Sequence, residues 1–378
     1  MGPLKKRSKD KSYPRIVSVS VKLNSTIVCL YEGEDSIFSE TLWYSNAEMK
    51  KYISIDEQVT LRAQSIISLF KNKKLYFDEI DALVCRGVIL QSSNSGTYVL
   101  NGALISALDY YKREDRFTED LFLFTEPLLC YELSKTKNVN AYMVTTVNID
   151  EMMEEAKLTG IKGIKRDSYF NALTQKTVAK RFCRNHNKQY EKTNLIVAYL
   201  GNPMTIAAHK LGNVIEVNNT SQGEGPFSPE TTGSLPMGDL IKMCFSGNFI
   251  YEEIEEIIES RGGCMAYFGY KDFRILMDNV QRGDEPSKKL FNAMAYNICK
   301  EIGKCSIALQ GKIYGIVLTG RISHCKPMVD YIRNRVGALA PIYIYAGKEE
   351  MTNLVEEVLR VIRGDEKEIL WNGGGVDE

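Results

Sequence analysis

The residues best suited to holding a ligand are concentrated between Asn218 and Leu240. They run Asn218-Asn219-Thr220-Ser221-Gln222-Gly223-Glu224-Gly225-Pro226-Phe227-Ser228-Pro229-Glu230, then Thr231-Thr232-Gly233-Ser234-Leu235-Pro236-Met237-Gly238-Asp239-Leu240. So many Gly, Pro and Asn residues hold backbone in specific, non-repetitive conformations, which suits a binding loop better than a linker. Metal and thiol chemistry have weaker support. The nine cysteines, at 29, 85, 130, 183, 244, 264, 299, 305 and 325, include no C-x-x-C pair and mostly sit in apolar stretches. That pattern predicts reduced, buried thiols in a cytoplasmic protein, with neither a disulfide framework nor a zinc site. Histidines 186, 209 and 324 are too scattered to suggest a histidine-rich metal centre.

Charge narrows the classes further. The chain has 48 Lys plus Arg against 48 Asp plus Glu, a formal charge of zero. Whole-surface affinity for nucleic acid or anionic membrane rests on a cationic surplus and is therefore not expected. Met1 to Arg15 is locally basic, with Lys5, Lys6, Arg7, Lys9, Lys11 and Arg15 against Asp10. No apolar core follows it, so it reads as a frayed arm, with a local nucleic-acid or partner contact as the other reading, and not as a secretory signal. No window approaches the roughly 20 apolar residues of a membrane span, which predicts a soluble protein.

The elements that must position the loop can be read from periodicity. At 378 residues the chain exceeds what one core usually holds, so two domains are expected. Ile16 to Val21, Ile27 to Tyr31 and Ser36 to Trp43 read as a β-meander, followed by one or two amphipathic helices between Asn46 and Lys71 and a short strand, Ala82 to Cys85. The same grammar returns at Asn194 to Leu200, Met204 to His209 and Val214 to Asn218, with Ile313 to Leu318 as the later short strand. The repetition suggests a duplicated α/β architecture with a cleft between its halves, although meanders are common enough to resemble one another by chance. A helix is expected near Gly238-Asp239, capped by the aspartate and with an apolar face of Leu240, Ile241, Met243 and Cys244. Another is expected over Lys348 to Arg363, with a loose tail after it.

The stretch Val217 to Leu240, continued by Cys244-Phe245-Ser246-Gly247, resembles the butyrate kinases of the acetate kinase branch of the actin-like superfamily. Arg86-Gly87 with Gly96-Thr97-Tyr98, Ala172 to Lys176, Val178 to Arg181, Arg261-Gly262-Gly263 through Gly269, Asp284 through Ala295-Tyr296 and Leu318-Thr319-Gly320 extend the match through most of the chain. The resemblance implies two ribonuclease-H-like domains of mixed sheets flanked by helices, about 16–175 and 176–349. A basic arm over 1–15, a C-terminal helix at 350–365 returning to the first domain and a loose tail over 366–378 complete that division. It also implies ATP, magnesium and a short carboxylate such as butyrate meeting in the cleft to give butanoyl phosphate, and homo-oligomerisation, for which the apolar helix Phe291 to Ile302 is a candidate surface.

Through the same resemblance the first phosphate turn falls on Lys22, Asn24, Ser25 and Thr26, where the family's glycine is missing. The second falls on Tyr199, Gly201 and Asn202, where a phenol stands for the family's histidine and Pro203 for its last glycine. Thr145 takes the place of an aspartate and Thr231 that of an arginine, while the adenosine motif reads Thr319-Gly320-Arg321. Arg86 is the residue expected to bind the substrate carboxylate or phosphoryl group, and Glu349 or Glu350 the magnesium-linked glutamate. In-line phosphoryl transfer needs backbone amides, magnesium and cationic donors around the equatorial oxygens. Loss of one such donor costs about 3 to 4 kcal/mol. The expectation is a butyrate-kinase-like protein with lost or strongly reduced activity; the alternative is an active kinase in which Lys22, Arg321 and Tyr199 replace the missing ligands.

Overall fold

The computed structural model describes residues 13–51, 54–87, 95–113, 121–145, 149–347 and 350–371, with the side chains at 111–113 and 121–123 excepted. By internal contacts the chain divides into a unit of residues up to 147 together with 349–378, and a second of 148–348.

The first unit is built on β1 (Arg15–Lys22), β2 (Ser25–Glu32), β3 (Asp35–Trp43), β4 (Ala82–Arg86), β5 (Thr97–Val99) and β6 (Asn140–Val144), ordered β3-β2-β1-β4-β6-β5. β1 pairs antiparallel with β2 and parallel with β4, and β4 pairs parallel with β6. Every residue of β1 except Lys22 is buried, as expected of a central strand covered on both faces. One layer of the core joins Val17, Val19 and Leu83 to Ile66 and Phe70 of the helix Ile55–Asn72 and to Leu129 and Leu133 of the helix Leu121–Lys137.

The second unit repeats the pattern with β7 (Asn194–Tyr199), β8 (Thr205–Lys210), β9 (Asn213–Val217), β10 (Gly315–Thr319) and β11 (Ile342–Ile344), ordered β11-β10-β7-β8-β9. Again a meander opens the sheet, and its first strand pairs parallel with the later β10. The duplication expected from the sequence is present strand for strand, with β5 as an addition to the first sheet.

Several expectations need correction. Arg15 is not part of a frayed arm: it opens β1, is buried, and its guanidinium lies 2.9 Å from Glu79 while its amide donates to Asp81. Residues 1–12 of that arm lie outside the described residues. The segment from 149 to 175 joins the second unit, since Ile149, Met152 and Phe170 pack on Ala207, Val214 and Val217. The tail after 365 is not loose as far as 371: Ile369 exchanges backbone hydrogen bonds with Thr97 and Val99, and Trp371 packs near Tyr98. The rest of the tail, 372–378, is outside the described residues.

The helix expected near Asp239 spans Met237–Cys244, but Pro236 is its cap residue and Asp239 lies within its first turn, paired with Lys242. Its apolar side chains are not buried. Together with Leu235, Phe249, Ile250 and Tyr251 they leave a run of exposed apolar residues, Met237 at 73% and Phe245 at 87%. By contrast Phe291, Met294, Ile298 and Ile302, expected as an association surface, are buried in their own unit.

One buried network links stability to pH. His209 is fully buried, with Nδ1 at 2.8 Å from Tyr190 Oη and Nε2 at 3.1 Å from Gln175 Oε1. Burial, with Lys176 adding to it, pushes its pKa down to about 3. The folded state thus keeps it neutral while the unfolded chain protonates it near pH 6.5. Its contribution is complete above that pH and is lost as pH falls toward 3, at up to about 1.4 kcal/mol per pH unit. Urea unfolding between pH 7 and 5 should show this slope, and His209→Gln should reduce it.

Candidate functional site

In both units the expected site residues gather at the carboxyl ends of parallel strands, the edge where open α/β sheets bind ligands. In the first unit these ends carry Lys22 as the last residue of β1, Arg86 as the last of β4 and Thr145 just after β6. Glu350 opens the helix Glu350–Arg363 beside them; Glu349 lies outside the described residues.

The turn between β1 and β2 is a tight hairpin, with Lys22 paired to Ser25. Beneath it, wholly buried, lies Arg62 from the helix Ile55–Asn72. Its Nη1 donates to Ser25 O at 3.0 Å and to Thr26 Oγ1 at 2.7 Å, and its Nη2 donates to Lys22 O at 3.1 Å and Leu23 O at 3.0 Å. Tyr44 stacks on the guanidinium at 4.8 Å and donates its hydroxyl to Thr26. This corrects the expectation for Thr26, which is buried with its hydroxyl committed to Arg62 and Tyr44. Ser25 is buried too, and Asn24 bonds Asn46 through its side-chain amide. Lys22 alone of the four extends to solvent. A phosphate cradle presents amides; this turn is organised around a cation that gathers its carbonyls, so it does not fit a phosphate.

Arg86 is held from the other side. Glu126, 1% exposed, lies 2.5 Å from its Nη2, and Nε donates to both carboxylate oxygens at 3.1 Å. The same carboxylate accepts from Val21 N at 2.7 Å, Arg86 N at 3.2 Å and Ser20 Oγ at 3.2 Å. Burial works against the charge of Arg86, but the bonds to Glu126 outweigh it and raise its pKa above the ordinary arginine range. Arg86 Nη1 also stands 4.0 Å from Glu350, whose pKa is raised by desolvation against the opposing pull of Arg86, with Glu126 adding to the rise. Magnesium usually takes one or two carboxylates plus phosphate and water oxygens. Glu350 is the carboxylate at hand for it, and a guanidinium shares its side. Thr145 Oγ1 accepts from Gly96 N at 2.9 Å, so it closes the end of β6 against the neighbouring strand.

In the second unit, Gly201, Asn202 and Arg321 line a cavity of about 880 Å³ together with Lys271, His324 and Lys326. Arg321 is exposed on its wall, and no ion pair to it is found among the described residues; it does not fill the cavity. Tyr199 lies directly over Gly201: a Cβ at 201 would stand 2.5 Å from its ring. The phenol therefore covers the face that a glycine leaves bare. Gly320, at φ +86°, approaches Leu200 O so closely that a Cβ would stand 2.5 Å away, which ties β10 to the end of β7. Thr319 is buried behind it. Thr231 is buried inside the Ser228–Thr231 turn, its Oγ1 donating to Ser228 Oγ at 2.9 Å and accepting from Ser228 N at 3.1 Å; Ser228 in turn bonds Asn202. The stretch leading into the Gly-Pro-Phe-Ser-Pro segment is likewise wired inward, with Asn218 bonding Ile206 N and Met204 O, and Glu224 pairing with Arg166.

Arg62 and Glu126 were missed in the sequence. Each had a signal: Arg62 falls in register with Val59, Ile66 and Phe70, and Glu126 is the lone charge in the run Leu121 to Cys130. Charges in such places are rarely buried unless paired.

Two sheets, each opening with an antiparallel meander and continuing into parallel strands, define an actin-like ATPase fold. The crystal structure of Porphyromonas gingivalis acetate kinase shares it at a TM-score of 0.77, with 16% identity, covering 93% of this chain and all of that one. That of Entamoeba histolytica acetate kinase does so at 0.75, with 11% identity over 92% of this chain and all of that one. The chain belongs to the acetokinase family, whose model matches residues 155–351. It is 37% identical to butyrate kinase 1 of Clostridium acetobutylicum over 353 residues, 93% of this chain and 98% of that protein. A probable butyrate kinase of Clostridium botulinum is 35% identical over the same shares.

Proposed function

We propose that this butyrate-kinase-like chain has lost or strongly reduced ATP-dependent formation of butanoyl phosphate. The observation that carries the proposal is the β1–β2 hairpin: Arg62 holds three of its four turn carbonyls and the Thr26 hydroxyl inward, so the turn offers no row of amides to a phosphate. Thr145 and Thr231, standing where the resemblance implies an aspartate and an arginine, carry no charge, and Tyr199 can donate one hydrogen bond without a positive charge. The losses do not add simply, but together they remove most of the electrostatic stabilisation such a reaction needs. With magnesium, ATP and butyrate, acyl-phosphate formation trapped as hydroxamate should run at least about a thousandfold below Clostridium acetobutylicum butyrate kinase 1 assayed alongside. A rate within tenfold of that enzyme overturns the proposal.

One observation favours the second reading, an active carboxylate kinase with rearranged ligands. Arg321 lines the 880 Å³ cavity with Gly201 and Asn202, and the cavity lies in the size range of nucleotide-scale ligands. Bound there, ATP would bring the transferable phosphoryl group, with Arg321 supplying charge and Gly201 a small wall. In that case Arg321→Ala should weaken calorimetric ATP binding by roughly tenfold.

Homo-oligomerisation belongs to the proposal, through the exposed residues from Leu235 to Tyr251 and not through Phe291 to Ile302. Phe245→Asp should lower the mass seen by light scattering and make the unfolding midpoint independent of protein concentration. Burial of seven of the nine free cysteines accords with a reducing, cytoplasmic location. Among the described residues no helix is long and apolar enough to cross a membrane.

A further inference from the structure

Around Glu126 the first unit contains a complete anion site. Its donors are two backbone amides, Val21 N at 2.7 Å and Arg86 N at 3.2 Å, the Ser20 hydroxyl at 3.2 Å, and the Arg86 guanidinium through Nη2 and Nε. They converge at the carboxyl ends of β1 and β4, and a planar guanidinium facing one carboxylate with two nitrogens is the geometry by which arginine recognises such a group. The carboxylate they hold is the chain's own. Glu126 is 1% exposed at its side chain, whereas Arg86 is 24% exposed, so the guanidinium meets solvent only with its remaining edge. On that edge Nη1 faces Glu350 at 4.0 Å. One guanidinium thus stands between two carboxylates, and Lys22 lies close enough to act on Glu350.

The geometry points to Glu126 as the resident occupant of the Arg86 anion site, an internal carboxylate that excludes a short external carboxylate from it. The inference rests on the proposed function in taking Arg86 as the substrate-facing arginine, and it names what keeps that arginine from its ligand. Glu126→Gln retains the shape and an acceptor oxygen for Val21 N but removes the charge that pairs with Arg86.

The test is calorimetric titration of the full chain and its Glu126→Gln variant with butyrate, with neutral butyramide as the control. Glu126→Gln should bind butyrate at least about tenfold more tightly than the unchanged protein does, butyramide should show no such gain, and Arg86→Ala in the Glu126→Gln background should abolish it. Equal butyrate affinity of the two proteins, an equal gain for butyramide, or a gain that survives Arg86→Ala overturns the inference. A measurement on the unchanged protein keeps it testable if the variant does not fold. Phenylglyoxal labelling of Arg86, followed by peptide mass spectrometry, should not be slowed by millimolar butyrate, and protection would overturn the inference. The two readings fail separately: a negative hydroxamate assay with no gain in Glu126→Gln rejects only this inference, and rapid turnover by the unchanged protein rejects the proposed loss of activity.

Discussion

Arg86→Ala is expected to destabilise the protein by about 3 to 5 kcal/mol, and addition of Glu126→Gln to recover a large part of that loss. Removing the guanidinium strands a carboxylate that is 1% exposed and takes its other hydrogen bonds from Val21 N, Arg86 N and Ser20 Oγ. Those donors stabilise the charge only in part. A buried charge without its partner costs far more than the pair contributes when complete, so the single and double variants should differ sharply. Urea unfolding followed by far-ultraviolet circular dichroism provides the comparison. If Arg86→Ala costs less than about 1 kcal/mol, as an exposed pair does, the pair is not held as described. The result would also give Arg86 a structural role: it neutralises a carboxylate inside its own unit.

Arg62→Ala should be of similar size. The side chain is buried and its two terminal nitrogens serve four acceptors, Ser25 O, Thr26 Oγ1, Lys22 O and Leu23 O. An unsatisfied buried polar group costs about 1 to 3 kcal/mol. The turn is close enough to the surface for water to recover some of these, so a total of about 3 to 5 kcal/mol is expected. Burial lowers the pKa of Arg62, so part of the gain from removing a buried charge offsets this loss. Arg62→Lys should be nearly as harmful, because a single ammonium cannot span the acceptors reached by the two nitrogens. Urea unfolding of the three proteins, with limited proteolysis near Leu23 as a local readout, tests both statements. Preserved stability in Arg62→Lys would show that charge alone, without the fork, organises the turn.

Much of the architecture was legible in the chain. Ile16 to Val21 and Asn194 to Leu200 announced strands through their β-branched and apolar runs, and the turns at Glu32 to Asp35 and Gly201 to Pro203 fixed where the chain reversed. β5 and β11, three residues each, carry too little periodicity to stand out and exist because a neighbouring strand supplies their hydrogen bonds. The helices Glu285–Ala308 and Met237–Cys244 show the limit of patterning: both carry apolar side chains, and only packing decides that Phe291 to Ile302 of the first line a core and the second faces outward. The candidate site followed the same division. Gly201, Asn202 and Arg321, 120 positions apart at the extremes, reach one cavity because β7 and β10 are adjacent parallel strands.

By itself the sequence determined the family, the repeated meander and which polar or small residues fall at the candidate turns. It also determined that positive and negative charges are equal in number. Only the tertiary structure decided how those charges are used. Arg86 meets a glutamate 40 residues away, and Arg62 reaches a turn 37 to 40 residues before it. A charge can attract a ligand only if no nearer partner already holds it, and nearness is set by packing. Around Arg86 a buried carboxylate holds the guanidinium on one side and a second carboxylate faces its open edge.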